Sequence, residues 1–403
     1  MRYTIRQEDK EAIVRDKRIE FVKHGRRTVL LAILLTVVLS LYIFRTDMVE
    51  AYTSLITRNQ MESVEEAGID RIYFEPDSTN LYSLYNYNLA VLNHGTLKLY
   101  TPAGGELLSL QLGFSRPAIE TGKAYITAYD RGSNKVYVTE QTSLKNTIET
   151  EGSIISLSQN NEGFIAVTRD DEYYRSVVDV YDNSQKLVYC WKTSDYYLLR
   201  TVISPDSKQI AVAALTQNEG VFRTKIMFFR LDREEYGSSY FLEGSIATDM
   251  CFLDNDNLCV IGDSKAVVVD TIGLEVSSYD FGSDVLKTCD TAEGCAVFAL
   301  SDRTSGLGSK LVSFSAGSKE ANVISTYDAV RKLSVCGNYI AALYTQSVEM
   351  FNITLKPYGQ PVEVYGVRDL LVSEDGKTLL IYSSEAGYVD LLTPFRKAPS
   401  ENG

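Results

Sequence analysis

One phrase recurs through most of the chain, and a recurrence at fixed spacing constrains a fold more tightly than composition does. ISPDSKQIAVAAL (203–215) and VSEDGKTLLIYSS (372–384) both read as an apolar tail, Ser-x-Asp, a polar turn with a Lys, and a second apolar run. Ser204 and Ser373 lie 169 positions apart. Its looser form, an apolar run, a polar turn and a second strand without the Ser-x-Asp, returns as YNYNLAVL (85–92), TGKAYITAY (121–129), NNEGFIAVT (160–168), DNDNLCVIG (254–262), TAEGCAVFAL (291–300) and CGNYIAALY (336–344). Each is a short apolar run bounded by turn residues, the grammar of a β-hairpin rather than of a helix. After most of them comes a further strand pair, such as NKVYVTE then LKNTIET, or KAVVVD then LEVSSYD.

Units of four short antiparallel strands, repeating at a period of about 42 residues, are the signature of a β-propeller. The expected fold is therefore all-β, an eight-bladed propeller over 69–395, with seven blades as the alternative; 169 is about four such periods. Stacked β-sandwiches also supply many strands, but they give no reason for a single period. The last unit is short: VRDLLVS, KTLLIYS and GYVDLLT are followed by FRKAPSENG. Its missing outer strand is expected from IDRIYF (69–74), which would close the ring and remove a free sheet edge. The 27 Tyr and single Trp among 403 residues agree with a strand-rich chain.

Ahead of the repeats stands TVLLAILLTVVLSLYIF (28–44), free of charge, Gly and Pro and bracketed by Arg26, Arg27 and Arg45. As a helix it is about 26 Å long, close to the hydrocarbon thickness of a bilayer, so a single membrane-spanning helix is expected. Nine Lys or Arg precede it, which puts residues 1–27 in the cytoplasm as a basic tail and everything beyond Arg45 outside. A cleaved signal peptide wants small residues at its end, and RTDMVEAY offers only Ala51. Residues 45–68 read as a short helical stalk, and 396–403 as a disordered tail. Residues 46–403 hold 30 basic against 48 acidic side chains, a net charge of −18 that argues against nucleic acid or anionic lipid as a partner of this part.

The basic tail, the single span and the repeated DGK-apolar phrases together resemble single-pass, extracytoplasmic β-propeller proteins of unknown function from Gram-positive anaerobic bacteria. KVYVTEQTS (135–143) and ISPDSK are also similar to YVTN and TolB-type propeller repeats. The resemblance covers roughly residues 26–395 and implies fold and location. It carries no functional residues with it.

Catalytic sets are hard to assemble. His94, in LNHGTLKL, is the only histidine beyond the apolar segment, so no Ser-His-Asp or Cys-His arrangement forms without it, and no GxSxG elbow occurs. Asp254 and Asp256 begin like a calcium loop but lack its Gly and closing Glu, and read as turn residues. No metal or cofactor is expected. The six cysteines leave two readings open: Cys251 with Cys259 and Cys289 with Cys295 flank hairpins and suit cross-strand disulfides, or all six are small buried hydrophobes.

Four loops between second and third strands place an Arg beside an acid: YDRGSN, TRDDEYYRS, TQNEGVFRT and SDRTSG. Their Arg131, Arg169, Tyr173, Tyr174, Arg175, Phe222, Arg223 and Arg303 are the candidate binding residues, since exposed Arg and aromatics anchor interfaces. Asp, Arg and Gly also serve simply to solvate turns. The function expected is a membrane-anchored, non-catalytic binding or scaffold module for an envelope protein or glycan. A carboxylate-based glycan hydrolase or lyase, or a sensor relaying to a cytoplasmic partner, are the alternatives.

Overall fold

A computed structural model describes residues 71–73, 79–233, 236–303, 310–382 and 388–392. The chain divides into Met1–Ser63 and Val64–Gly403, and all described residues belong to the second unit. The expected tail, span and stalk lie outside the described residues, among which no helix is long and apolar enough to cross a membrane.

The described strands form eight four-stranded antiparallel sheets. Each of the first seven is one run of chain: residues 81–111, 117–149, 154–193, 197–242, 247–280, 284–325 and 332–363, named here blades 1 to 7. Blade 8 takes three strands from 369–392 and its outermost strand, Arg71–Tyr73, from the other end of the propeller sequence. Arg71 pairs with Asp390, Ile72 with Val389 and Tyr73 with Tyr388, so the expected closure by IDRIYF is the observed one.

Second strands alternate too little to be half-exposed. Ile165–Arg169, Asn257–Gly262 and Cys295–Asp302 are buried along nearly their whole length, because each blade is covered on both faces by its neighbours. The buried side chains fall into clusters that each join two adjacent blades. Val202, Ala211 and Phe228 of blade 4 meet Met250, Val260 and Val267 of blade 5. Ile72 and Leu380 of blade 8 meet Leu89 and Val91 of blade 1, where the Tyr82 and Tyr382 rings lie 4.0 Å apart and complete the circle. Burying such side chains contributes roughly 1.5–3 kcal/mol each.

The recurring phrase is a hydrogen-bonded cage at the turn between first and second strands. Ser204 Oγ donates to Asp206 Oδ1 at 2.8 Å and accepts from Gln209 N at 3.0 Å, while Lys208 N donates to Asp206 at 3.2 Å. Ser373, Asp375, Thr378 and Lys377 repeat the pattern at 2.7, 3.0 and 3.1 Å. Both serines are buried. Ser207 and Gly376 occupy the same left-handed position, φ 58° and 67°, and a Cβ on Gly376 would meet the Tyr339 ring at 2.6 Å. The two copies belong to blades 4 and 8, on opposite sides of the ring.

Candidate binding face and central channel

Antiparallel alternation sorts the connections into two rims. Turns after first and third strands open at one end of the ring, called lower here; connections after second and fourth strands open at the other, upper, end. Six aromatic side chains are exposed among the described residues: Tyr173, Tyr174, Tyr197, Phe222, Tyr327 and Tyr365. All six stand on or beside upper connections.

Blades 3 and 4 carry four of them. The second and third strands of blade 4, Gln209–Asn218 and Val221–Arg230, are long enough that their pairs from Thr216↔Arg223 to Asn218↔Val221 have no neighbour on either side. The result is a two-stranded finger rising above the blade, turned at Glu219 and Gly220 with φ 49° and 85°, the positive pair that a tight hairpin requires. Val221 and Phe222 sit at its tip, 58% and 53% exposed. Beside it, Tyr173 is 80% exposed, and Arg175 lies 5.0 Å from the centre of the Tyr197 ring, linking blade 3 to blade 4.

Arg169 corrects the sequence expectation. It is not an exposed anchor but one of the largest fully buried side chains, 2% exposed. Its Nε bonds Asp179 Oδ2 at 2.5 Å, and Nη1 bonds Asp171 Oδ2 at 3.1 Å. The register explains this: Arg169 pairs with Val177 and Val167 with Asp179, so Arg169 and Asp179 are diagonal neighbours on one sheet face. Asp171 in turn accepts from Tyr173 N at 2.9 Å and Tyr174 N at 3.2 Å, bonds that, with Arg169, hold its carboxyl below the usual range. Arg169 therefore positions the loop that presents the two tyrosines.

Arg223 is likewise less free than expected. It lies 4.0 Å from the Phe241 ring centre and bonds Glu243 at 2.5 Å. The acids beside the loop arginines are also occupied: Asp130 receives Ser115 N and Arg116 N at 3.0 and 2.5 Å, and Asp170 receives Ser153 N, each stapling the connection from the preceding blade. Arg131 and Arg303 are exposed, but on blades 2 and 6. The structure thus gathers Tyr173, Tyr174, Arg175, Phe222 and Arg223 into one sector and leaves Arg131 and Arg303 outside it.

The remaining sequence candidates are structural. His94 Nδ1 lies 3.1 Å from Phe114 O, and Asp254 accepts the backbone N–H of Asp256 and Asn257 within its turn. All six cysteines are free thiols. Cys251 does sit opposite Cys259, yet both belong to an apolar cluster, whereas Cys289 faces Phe298 and Cys295 faces Ala292. Burial pushes Cys251 and Cys259 well up, Cys289 and Cys295 to about 12 and Cys336 to about 11, which suppresses the reactive thiolate.

A channel runs along the ring axis, and the sequence reading did not pick out the charged residues that line it. Its lower part is a cavity of about 580 Å³ to which every blade contributes. A second cavity of about 250 Å³ shares Glu120, Arg200 and Met250 with it and reaches Arg131 on the upper rim. Charged side chains project from first strands: Glu120 of blade 2, Arg200 of blade 4, Asp249 of blade 5 and Asp290 of blade 6. Arg200 Nε is 3.3 Å from Asp249 Oδ1, and Thr291 Oγ1 donates to Asp249 Oδ2 at 3.1 Å. Burial pushes Glu120 up, and raises Asp290 to about 7 against the bond it accepts from Val335 N at 2.7 Å. Among the described residues, no group of three or more His, Cys, Asp or Glu is arranged to hold a metal ion. The available signal was a charged residue inside each of these otherwise strand-like first segments, as in YLLRTVI and ATDMCF.

Residues 60–357 match a family of unknown function, DUF5711. The chain belongs to the DUF5711 family. No curated protein matches this DUF5711 sequence. Among solved structures it is similar to the C-terminal WD40 domain of Sif2, with TM-score 0.55 and 11% identity over 79% of this chain and 97% of that one. It is also similar to a eukaryotic initiation factor, with TM-score 0.50 and 15% identity over 77% and 84% of the two chains. A third is Chaetomium thermophilum Raptor, with TM-score 0.50 and 11% identity over 82% of this chain and 29% of that one. At such identities the likeness shows the β-propeller fold of this DUF5711 member and nothing further.

Proposed function

We propose that this DUF5711 propeller is a non-catalytic binding or scaffold module, tethered to a membrane by residues 28–44, that presents its upper rim to an envelope protein or glycan. The observation that carries the reading is the placement of all six exposed aromatics among the described residues at one end of the ring. Tyr and Phe held on a rigid frame lose little side-chain entropy on contact and are typical interface anchors. The sector of blades 3 and 4 is the centre of the site: Tyr173, Tyr174, Tyr197 and Phe222 supply contact area, Arg175 supplies charge, and Arg169 positions the loop.

Cross-linking of the full chain in the cells that make it, followed by identification of the captured species, tests this. A stoichiometric partner lost on combined Tyr173→Ser, Tyr174→Ser and Phe222→Ser substitution is expected. Capture unchanged by the triple substitution contradicts the reading.

A further inference from the structure

Every blade of a propeller leaves the edge of its outermost strand open, and edges that stay unpaired are kept short, charged or interrupted. Of the eight outermost strands described, three reach seven residues: Ser143–Glu149, Leu187–Thr193 and Tyr236–Leu242. The first carries Lys145 and Glu149, and the third is interrupted by Gly237. Leu187–Thr193 of blade 3 reads LVYCWKT, with one charge, Lys192, and no acid, Gly or Pro. It ends the strand order of its sheet, and Leu187 and Val188 are 48% and 45% exposed. Cys190, at its midpoint, is exposed as well.

We propose that this edge pairs with the same edge of a second copy of the chain, antiparallel and about a two-fold axis at Cys190. In that register each residue faces the one equally far from Cys190 on the other side. Tyr189 then faces Trp191 of the second copy, an aromatic cross-strand pair. Both rings are already held against Phe229, with centres 6.5 and 4.5 Å from it, so pairing has little left to order. Val188 faces Lys192, whose stem is apolar.

The charges at the two ends of the strand select this direction. Lys186 precedes it and Asp195 follows it; both are exposed, and among the described residues neither has an ion-pair partner. Antiparallel pairing about Cys190 brings Lys186 of each copy beside Asp195 of the other, whereas parallel pairing sets like beside like. Two-fold symmetry makes every one of these contacts twice. At the axis the two Cys190 Cα atoms come to about 4.5–5.5 Å, within the span of a disulfide, so the thiols report the register directly.

The test uses the full chain purified in detergent. Its mass is read by light scattering under reducing conditions. A second sample is treated with diamide, which takes up the two electrons and two protons released when two thiols join, and is run on a non-reducing gel. A dimer in the first and a covalent dimer in the second are expected. Cys190→Ser should abolish the covalent dimer and keep the mass, because the strands and not the bond hold the copies together. Val188→Lys places two ammonium groups opposite each other at both ends of the pairing, and should return the mass to that of a monomer and lower the covalent yield about fivefold or more. Lys186→Glu and Asp195→Lys should each lower the yield about two- to fivefold, and the two together should restore it. Unchanged thermal melts would show that these exposed substitutions act on pairing and not on folding. A monomeric wild-type mass, a covalent dimer that survives Cys190→Ser, a dimer indifferent to Val188→Lys, or a double charge exchange no better than the single ones would each overturn the proposal. The upper-rim triple substitution should leave the dimer intact and Val188→Lys should leave partner capture intact, so this inference and the rim reading stand or fall separately.

Discussion

The two rims of the propeller are built by opposite rules. On the lower rim the phrase repeats down to its individual hydrogen bonds: Ser204 and Ser373 close the same cage around Asp206 and Asp375. Neighbouring turns are tied together, with Asn160 reaching Ser204 O at 2.9 Å and Asp206 N reaching Asn255 Oδ1 at 3.0 Å. The upper rim has staples as well, such as Asp130 and Asp170, but it carries the exposed aromatics and includes the finger of 216–223. The cage shared by blades 4 and 8 serves the fold of its turn, since its serines are buried and their hydroxyls bond only within it. Variation on a rigid frame marks where recognition can be placed.

The sharpest test of this contrast is an upper-rim residue that is structural. Replacing Arg169 by Met leaves Asp179 buried without its cation, and is expected to cost about 3–5 kcal/mol in chemical denaturation. A cost below about 1 kcal/mol would mean that the loop carrying Tyr173 is held by something else.

The channel should behave in the opposite sense. The Asp290 carboxyl sits near 7 in the folded chain and about 4 when unfolded, so between those values the folded state binds more protons. Stability should therefore fall as pH rises from about 4 to 7. Burial is the main cause, Asp249 and Asp369 add to it, and the N–H groups of Val335 and Thr291 oppose it. Asp290→Asn should stabilise the chain at pH 7.5 by roughly 2 kcal/mol and flatten the profile, read by thermal melts across pH. An unchanged profile would place the slope elsewhere.

On the lower rim, Ser373→Ala removes one donor and one acceptor from a buried cage, at an expected cost of about 1–3 kcal/mol. Ser204→Ala should match it within about 0.5 kcal/mol if the two turns are equivalent. Smallest of all in stability, Tyr173→Ser and Phe222→Ser should each shift unfolding by no more than about 0.5 kcal/mol, because both side chains are exposed.

The fold was legible because its period is written in turn residues, and even the closing strand followed from the shortness of the last unit. The site was legible only in part. Tyr173, Tyr174 and Phe222, which the structure shows exposed, were singled out because loop aromatics in an otherwise polar turn are conspicuous. Arg169 was misjudged because its partner, Asp179, is ten positions away and becomes a neighbour only through the register of two strands. An acid in the middle of SVVDVY was the missed hint. Glu120, Arg200, Asp249 and Asp290 escaped notice for a similar reason: each is a lone charge in a strand-like first segment, and it meets the others only across the ring axis.

The central claim is that recognition belongs to the upper rim, and a paired cross-linking measurement tests it most directly. One variant carries Tyr173→Ser, Tyr174→Ser and Phe222→Ser; the other carries Ile272→Ser and Leu274→Ser, which replaces exposed aliphatics of the lower rim on blade 5. The account predicts that the first loses the partner captured by the wild-type chain while the second keeps it. Capture kept by the first and lost by the second would contradict it.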